Sequence, residues 1–161
     1  MSISKFMLLL ITLLAVMASA FAAPKSREIA IDGNYVKVEK GASASLLNVS
    51  LGQFLTPQVV IVTNLSTQRN FAYTATSIGL GGKFFFIDGF RGDLVPFAGI
   101  GIALRQRNAA ITESATQTDL NLGLAYFLTE SATLDAKVKF YTYSDSSDNI
   151  YLLALGFSHR F

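Results

Sequence analysis

Between positions 151 and 161 the chain alternates two kinds of side chain without a fault. Tyr151, Leu153, Leu155, Phe157, His159 and Phe161 fall on one face of an extended strand, and Leu152, Ala154, Gly156, Ser158 and Arg160 on the other. Successive strand residues point to opposite sides, so an unbroken period of two specifies a strand whose faces meet different surroundings. A tilted strand needs about 9–11 residues to cross a bilayer, and this stretch is of that length. A chain that carries such a segment has few folds open to it.

The same alternation recurs upstream. In 132–143, Leu134, Ala136, Val138 and Phe140 oppose Asp135, Lys137, Lys139 and Tyr141. In 119–128, Leu120, Leu122, Leu124, Tyr126 and Leu128 oppose Asp119, Asn121, Gly123, Ala125 and Phe127. In 95–105, Pro96, Ala98, Ile100, Ile102 and Leu104 oppose Phe97, Gly99, Gly101, Ala103 and Arg105. The segment 70–87 sets Ile78, Leu80, Gly82, Phe84 and Phe86 against Gly79, Gly81, Lys83 and Phe85, with a bulge expected near Phe71 and Tyr73, where the phase slips. Segments 46–55 and 59–65 form a hairpin about Thr56 and Pro57, proline being suited to a turn and not to a central strand. In 28–35, Ile29, Ile31, Gly33 and Tyr35 alternate with Ala30, Asp32 and Asn34, and a bulge or loop is expected where Val36 and Val38 break step.

Composition explains why both faces can be so unlike each other. Apolar residues make up 51% of the 161 positions and charged residues only 15%, against about 25% charged in soluble domains. Beyond the N-terminal region no apolar run approaches the length of a membrane-crossing helix. A transmembrane β-barrel reconciles the two facts, because its apolar residues occupy every second position. The N-terminal region reads differently: Lys5, an apolar stretch over 6–16, then Ala18, Ala20, Ala22 and Ala23. This order predicts a secretory signal peptide over 1–22, with domain 23–161 as the exported part. The competing reading is an uncleaved anchor, against which the small-residue end counts as a cleavage signature. The absence of cysteine excludes a lipidated N-terminus and suits passage through an oxidising compartment. The formal net charge of +2 falls by one when Lys5 leaves, so nucleic acid is not an expected partner.

An internal echo supports the strand count. The segment Leu47-Asn48-Val49-Ser50-Leu51-Gly52-Gln53-Phe54-Leu55-Thr56 aligns with Leu120-Asn121-Leu122-Gly123-Leu124-Ala125-Tyr126-Phe127-Leu128-Thr129 at a constant offset of 73 residues. The two are the second and sixth strands, so the offset holds four strands and the exported part eight. Eight strands of about eleven residues leave roughly 50 for connections and tails. The expected fold is all-β, an eight-stranded antiparallel up-and-down transmembrane β-barrel.

The stretches Val95-Pro96-Phe97-Ala98-Gly99-Ile100-Gly101, Leu122-Gly123-Leu124-Ala125-Tyr126-Phe127-Leu128-Thr129 and Leu155-Gly156-Phe157-Ser158-His159-Arg160-Phe161 carry a resemblance. From about Ser45 onward the chain resembles the small outer-membrane β-barrel family, the OmpA/OmpX-like barrel domains. The resemblance implies a location in the outer membrane, contact with outer-membrane lipid and no shared enzymatic activity. It also implies that Phe161, Phe157, Leu155 and Leu153 form the signal read by the barrel-assembly machinery. An even strand count puts both ends in the periplasm, with periplasmic turns at Thr56-Pro57, 88–93 and 129–131. The external loops then include 144–149 and the longest one, 106–118.

Chemistry is sparsely signalled. The single histidine, His159, neighbours Ser158 on the opposite strand face, whereas a nucleophile and its base must lie within about 2.6–3.2 Å. No catalytic, cofactor or metal site is therefore assigned, and the sequence is read as non-enzymatic. One His and no Cys give no transition-metal ligand set, and Asp145 and Asp148 read as a polar loop before they read as a calcium site. Gly79-Leu80-Gly81-Gly82 lies within an alternating strand with no helix to follow, unlike a phosphate loop. The informative charges are those on the inward faces: Asp32, Lys83, Arg105, Asp119, Asp135, Lys137, Lys139 and Arg160. Unpaired ions in a narrow lumen are costly, so they are expected to pair and plug a monomeric barrel. A lipid-directed enzyme or a small-solute pore is the alternative function. A soluble lipocalin-like barrel would instead need the apolar rows inside.

Overall fold

The computed structural model describes residues 27–37, 43–70, 73–87, 93–108, 112–144 and 146–161. Eight strands run in chain order: β1 (Arg27–Lys37), β2 (Ser43–Phe54), β3 (Val59–Asn70), β4 (Thr74–Phe85), β5 (Leu94–Asn108), β6 (Thr112–Phe127), β7 (Ala132–Tyr143) and β8 (Ser146–Arg160). Each pairs antiparallel with the next, and β1 pairs with β8, so the sheet closes on itself. Closure leaves no open edge, which is how strands satisfy their backbone groups without water. The signal peptide expected over 1–22 lies outside the described residues, as do Val38, Phe71, Asp145 and most of the turn at 88–93.

The facing of each alternating segment agrees with the sequence pattern. Tyr151, Leu153, Leu155, Phe157, His159 and Phe161 are all exposed, while Ala154 and Ser158 behind them are buried. The outer wall continues through Leu134 and Val138 on β7, Leu120, Leu122 and Leu124 on β6, and Ile100, Ile102 and Leu104 on β5. Spaced at about 3.4 Å per residue along strands tilted by about 45°, the apolar stretch of β8 spans roughly 25 Å of height, the apolar band of such barrels. The outer wall is thus one that lipid must cover.

Several boundaries depart from the sequence reading. The expected long external loop over 106–118 is mostly strand, because β5 and β6 stay in register as far as Asn108 and Thr112. Likewise Ser146 to Asn149 belong to β8, and β3 continues past Leu65 to Asn70. These extensions stand beyond the apolar band, where both faces carry polar residues and the apolar period vanishes although pairing goes on. The slip near Asn70 is the end of β3 and the start of β4, and pairing across β3–β4 is unbroken from Val59 to Arg69. Of the bulge or loop expected after Tyr35, no bulge occurs as far as Lys37, where β1 ends, because β1 and β2 pair without a break to that point. A register shift occurs instead between Tyr141 and Tyr143 against β8.

The echo between β2 and β6 ends in two turns of the same construction. Leu55 N donates to Val59 O and Leu128 N to Ala132 O, both at 2.9 Å. Thr56 Oγ1 accepts from Val59 N (3.1 Å) and Gln58 N (3.3 Å); Thr129 Oγ1 accepts from Ala132 N (3.0 Å) and Ser131 N (3.2 Å). The shared Phe-Leu-Thr therefore encodes a turn in which the hydroxyl satisfies backbone donors that the reversal would otherwise leave open.

Candidate functional site

The interior is stacked in three polar layers along the barrel axis. Nearest the 55–58 and 128–131 turns, Glu28 is 3% exposed and accepts from Lys83 Nζ (2.6 Å) and Arg160 Nε (3.5 Å). The Arg160 guanidinium also lies 4.6 Å from the Phe54 ring centre and 4.7 Å from that of Phe127. Lys83 stands 4.7 Å from the Phe85 ring. Phe85 and Phe97 pack with Val60, Val95 and Ala125 into the apolar floor of this layer. Phe54 and Phe127, two of the three phenylalanines around Arg160, are the equivalent residues of the β2 and β6 echo.

The middle layer centres on Asp32, also 3% exposed. Its Oδ2 accepts from Lys137 Nζ at 2.9 Å and Asn48 Nδ2 at 3.0 Å, and its Oδ1 pairs with Lys139. Lys137 also reaches Asp135 Oδ2 at 2.8 Å. Both oxygens of the buried carboxylate thus meet donors, which is the condition under which a buried ion is tolerated. Asp119, Asn121, Asn64 and Tyr141 line a cavity of about 70 Å3 beside it. Above, Ser77 Oγ donates to Gln117 Oε1 (3.2 Å), and Arg105 Nη2 to Tyr73 Oη (3.5 Å). The Arg105 guanidinium rests 4.4 Å from the Tyr143 ring, and Arg107 pairs with Glu113 at the mouth.

Glycines on the wall make this crowding feasible. A Cβ added to Gly101 would stand 2.7 Å from Asp119 Oδ2, and one on Gly156 would stand 2.7 Å from Asp135 Oδ1. Both glycines lie directly across the ladder from the carboxylate they admit. A bare backbone on one strand leaves the volume that the long polar side chain of its neighbour occupies.

All eight inward charges named from the sequence project into this interior, but they do not form one cluster. Asp32, Asp135, Lys137 and Lys139 are joined by ion pairs; Lys83 and Arg160 meet at Glu28; Arg105 is held by tyrosines. Glu28 is the residue the sequence reading missed. Extending the β1 alternation back from Ala30 by one period would have found it. The rings against its cation partners Lys83 and Arg160, those of Phe54, Phe85, Phe97 and Phe127, gave only the signal of inward aromatic positions. His159 faces outward, whereas Ser158 faces inward and bonds the Thr133 hydroxyl. Among the described residues no group of His, Cys, Asp or Glu stands close enough to hold a metal ion.

No protein-family model matches the sequence, and no curated protein matches it. Solved structures do. The N-terminal β-barrel domain of Pseudomonas aeruginosa OprF is similar at a TM-score of 0.68 and 21% identity, over 87% of this chain and 100% of that one. Neisserial surface protein A gives 0.72 at 14% identity, again over 87% and 100%. This chain has the fold of a small, OmpA/OmpX-like outer-membrane β-barrel. The outer-membrane enzyme PagL is similar as well, with a TM-score of 0.53 and 10% identity over 83% of this chain and 99% of that one. An outer-membrane barrel of this kind turns its apolar rows to lipid and its charges inward. The lipocalin-like alternative, which requires the opposite facing, is not the structure observed.

Proposed function

We propose that the chain is a non-enzymatic integral outer-membrane protein with a structural or surface-interaction role, and that its charged interior plugs the lumen. The observation that carries this reading is the Asp32 centre, where one carboxylate ties two lysines and an asparagine across the barrel. An eight-stranded barrel has an interior just wide enough for side chains to fill, and the space left beside Asp32 is about 70 Å3, room for a few water molecules. Reconstituted in planar bilayers, the protein is expected to show no stable open events; long-lived openings of large, uniform conductance would overturn the plug.

In this proposal residues 1–22 are a cleaved export signal, and the Thr56 and Thr129 turns face the periplasm. The barrel acts as a monomer surrounded by outer-membrane lipid, and Leu153, Leu155, Phe157 and Phe161 mark β8 for the barrel-assembly machinery. Recognition falls to the strand extensions and loops at the opposite rim. PagL is named an enzyme on a similar fold, so the non-enzymatic reading needs its own test. Mass spectrometry of lipid A from cells with and without the protein is expected to give identical spectra. The loss or gain of an acyl chain would establish the lipid-directed alternative.

A further inference from the structure

The outer wall changes character abruptly over β2, β3 and β4. Three successive cross-strand rows run Val49–Leu65–Ile78, then Leu47–Thr67–Thr76, then Ser45–Arg69–Thr74. The first is apolar, the second mixed and the third polar with a guanidinium at its centre. Arg69 is exposed, and among the described residues its guanidinium has no hydrogen bond or ion pair. A groove of about 450 Å3 opens beside it, lined by Ser45, Leu46, Leu47, Thr67, Arg69 and Thr74.

From these rows we infer that this rim binds the phosphorylated sugar headgroup of an outer-leaflet glycolipid, its phosphate on Arg69 and an acyl chain running down over Leu47 and Leu65. An unpaired cation on the lipid-facing wall is stable only at headgroup depth or beside an anion. Arg69 lies four residues along the strand from Leu65, which lifts it roughly 10 Å above the last apolar row. A guanidinium offers a planar fork that fits a phosphate by paired hydrogen bonds. The hydroxyls of Ser45 and Thr74 flank Arg69 on the neighbouring strands, and Thr67 sits below it. With strands about 4.8 Å apart, this shelf is nearly 10 Å wide, the breadth of a sugar phosphate and more than a lone phosphodiester needs. The inference rests on the proposed orientation, which puts the rim in the external leaflet.

The test uses protein extracted folded from outer membranes, delipidated, and offered defined lipids in native mass spectrometry. The probes are lipid A carrying two phosphates, the same lipid A dephosphorylated, and phosphatidylglycerol. The protein is expected to retain phosphorylated lipid A about five- to tenfold better than either other probe, the range of a charge-assisted hydrogen bond at a partly exposed site. Arg69→Gln should abolish that preference, and Arg69→Lys should restore part of it. An undiminished preference in Arg69→Gln, or equal retention of phosphatidylglycerol, would overturn the site. Orientation is read separately by labelling an Asn108→Cys variant on whole cells with a membrane-impermeant maleimide, the chain having no other cysteine. Labelling without lipid preference refutes the site alone, and failure to label refutes the orientation together with the site.

Discussion

Replacing Asp32 with asparagine is expected to lower the unfolding free energy by about 3 kcal/mol, the scale on which removing one partner of a buried ion pair strands the other. Here two ammonium groups lose the carboxylate they share, with unequal consequences. Lys137 keeps Asp135 at 2.8 Å, but Lys139 loses the carboxylate with which it pairs. Substituting the lysine left without a carboxylate as well separates charge from shape. The double variant Asp32→Asn, Lys139→Met should recover most of the loss, because methionine fills similar volume and the Lys137–Asp135 pair stays intact. Urea unfolding in detergent micelles, followed by the gel shift between folded and unfolded barrel, measures both. A single variant as stable as the parent would show that the middle layer contributes nothing to stability. A double variant no better than the single one would show that packing, and not charge balance, holds the layer.

Removing Phe161 is expected to open the barrel at its shortest seam. β1 and β8 pair only from Glu28↔Arg160 to Gly33↔Leu155, whereas neighbouring strands elsewhere pair over ten or more positions, as in Ala44↔Asn70 to Phe54↔Val60. Phe161 extends that seam by one step, its N donating to Arg27 O at 3.0 Å and its O accepting from Arg27 N at 3.2 Å. Two backbone hydrogen bonds at about 1 kcal/mol each amount to roughly thirtyfold in the equilibrium between closed and open seam. In refolding experiments the closed fraction at intermediate urea should fall accordingly. Phe161→Ala keeps both backbone bonds, so it should refold almost as the parent does. In cells the same variant should insert poorly, because the aromatic side chain is the part the assembly machinery is proposed to read. Normal insertion of Phe161→Ala in cells would refute the side chain's role as a signal, and unimpaired refolding without Phe161 would refute its role in closure.

Inside the apolar band, strand placement and facing were readable from single residues. Leu120, Leu122 and Leu124 point outward and Asp119 and Asn121 inward because alternation is a local property of the extended chain. Beyond the band the reading stopped early, since Thr112 to Thr118 and Gln106 to Asn108 are polar on both faces and yet stay paired. Cross-strand hydrogen bonding does not need an apolar row, so the periodicity that marks a buried or lipid-covered strand disappears before the strand does. The Phe-Leu-Thr echo was more informative than its length warranted, because each copy specifies a turn together with the inward phenylalanine that precedes it.

What the sequence by itself determined was the set of eight strands and, for most of them, which residues share a face. Whether the apolar faces point outward is not a local property, since alternation serves a soluble barrel as well as a membrane one, and only the closed tertiary structure decided it. The partners of the inward charges were decided at the same level. Glu28 meets Lys83, 55 residues away, and Arg160, 132 residues away; Asp32 meets Lys139 at a separation of 107. Such contacts run across a lumen whose width and stagger follow from closing the whole sheet. Periodicity on one strand therefore states that a charge faces inward, while the shear of the barrel selects the charge it will meet.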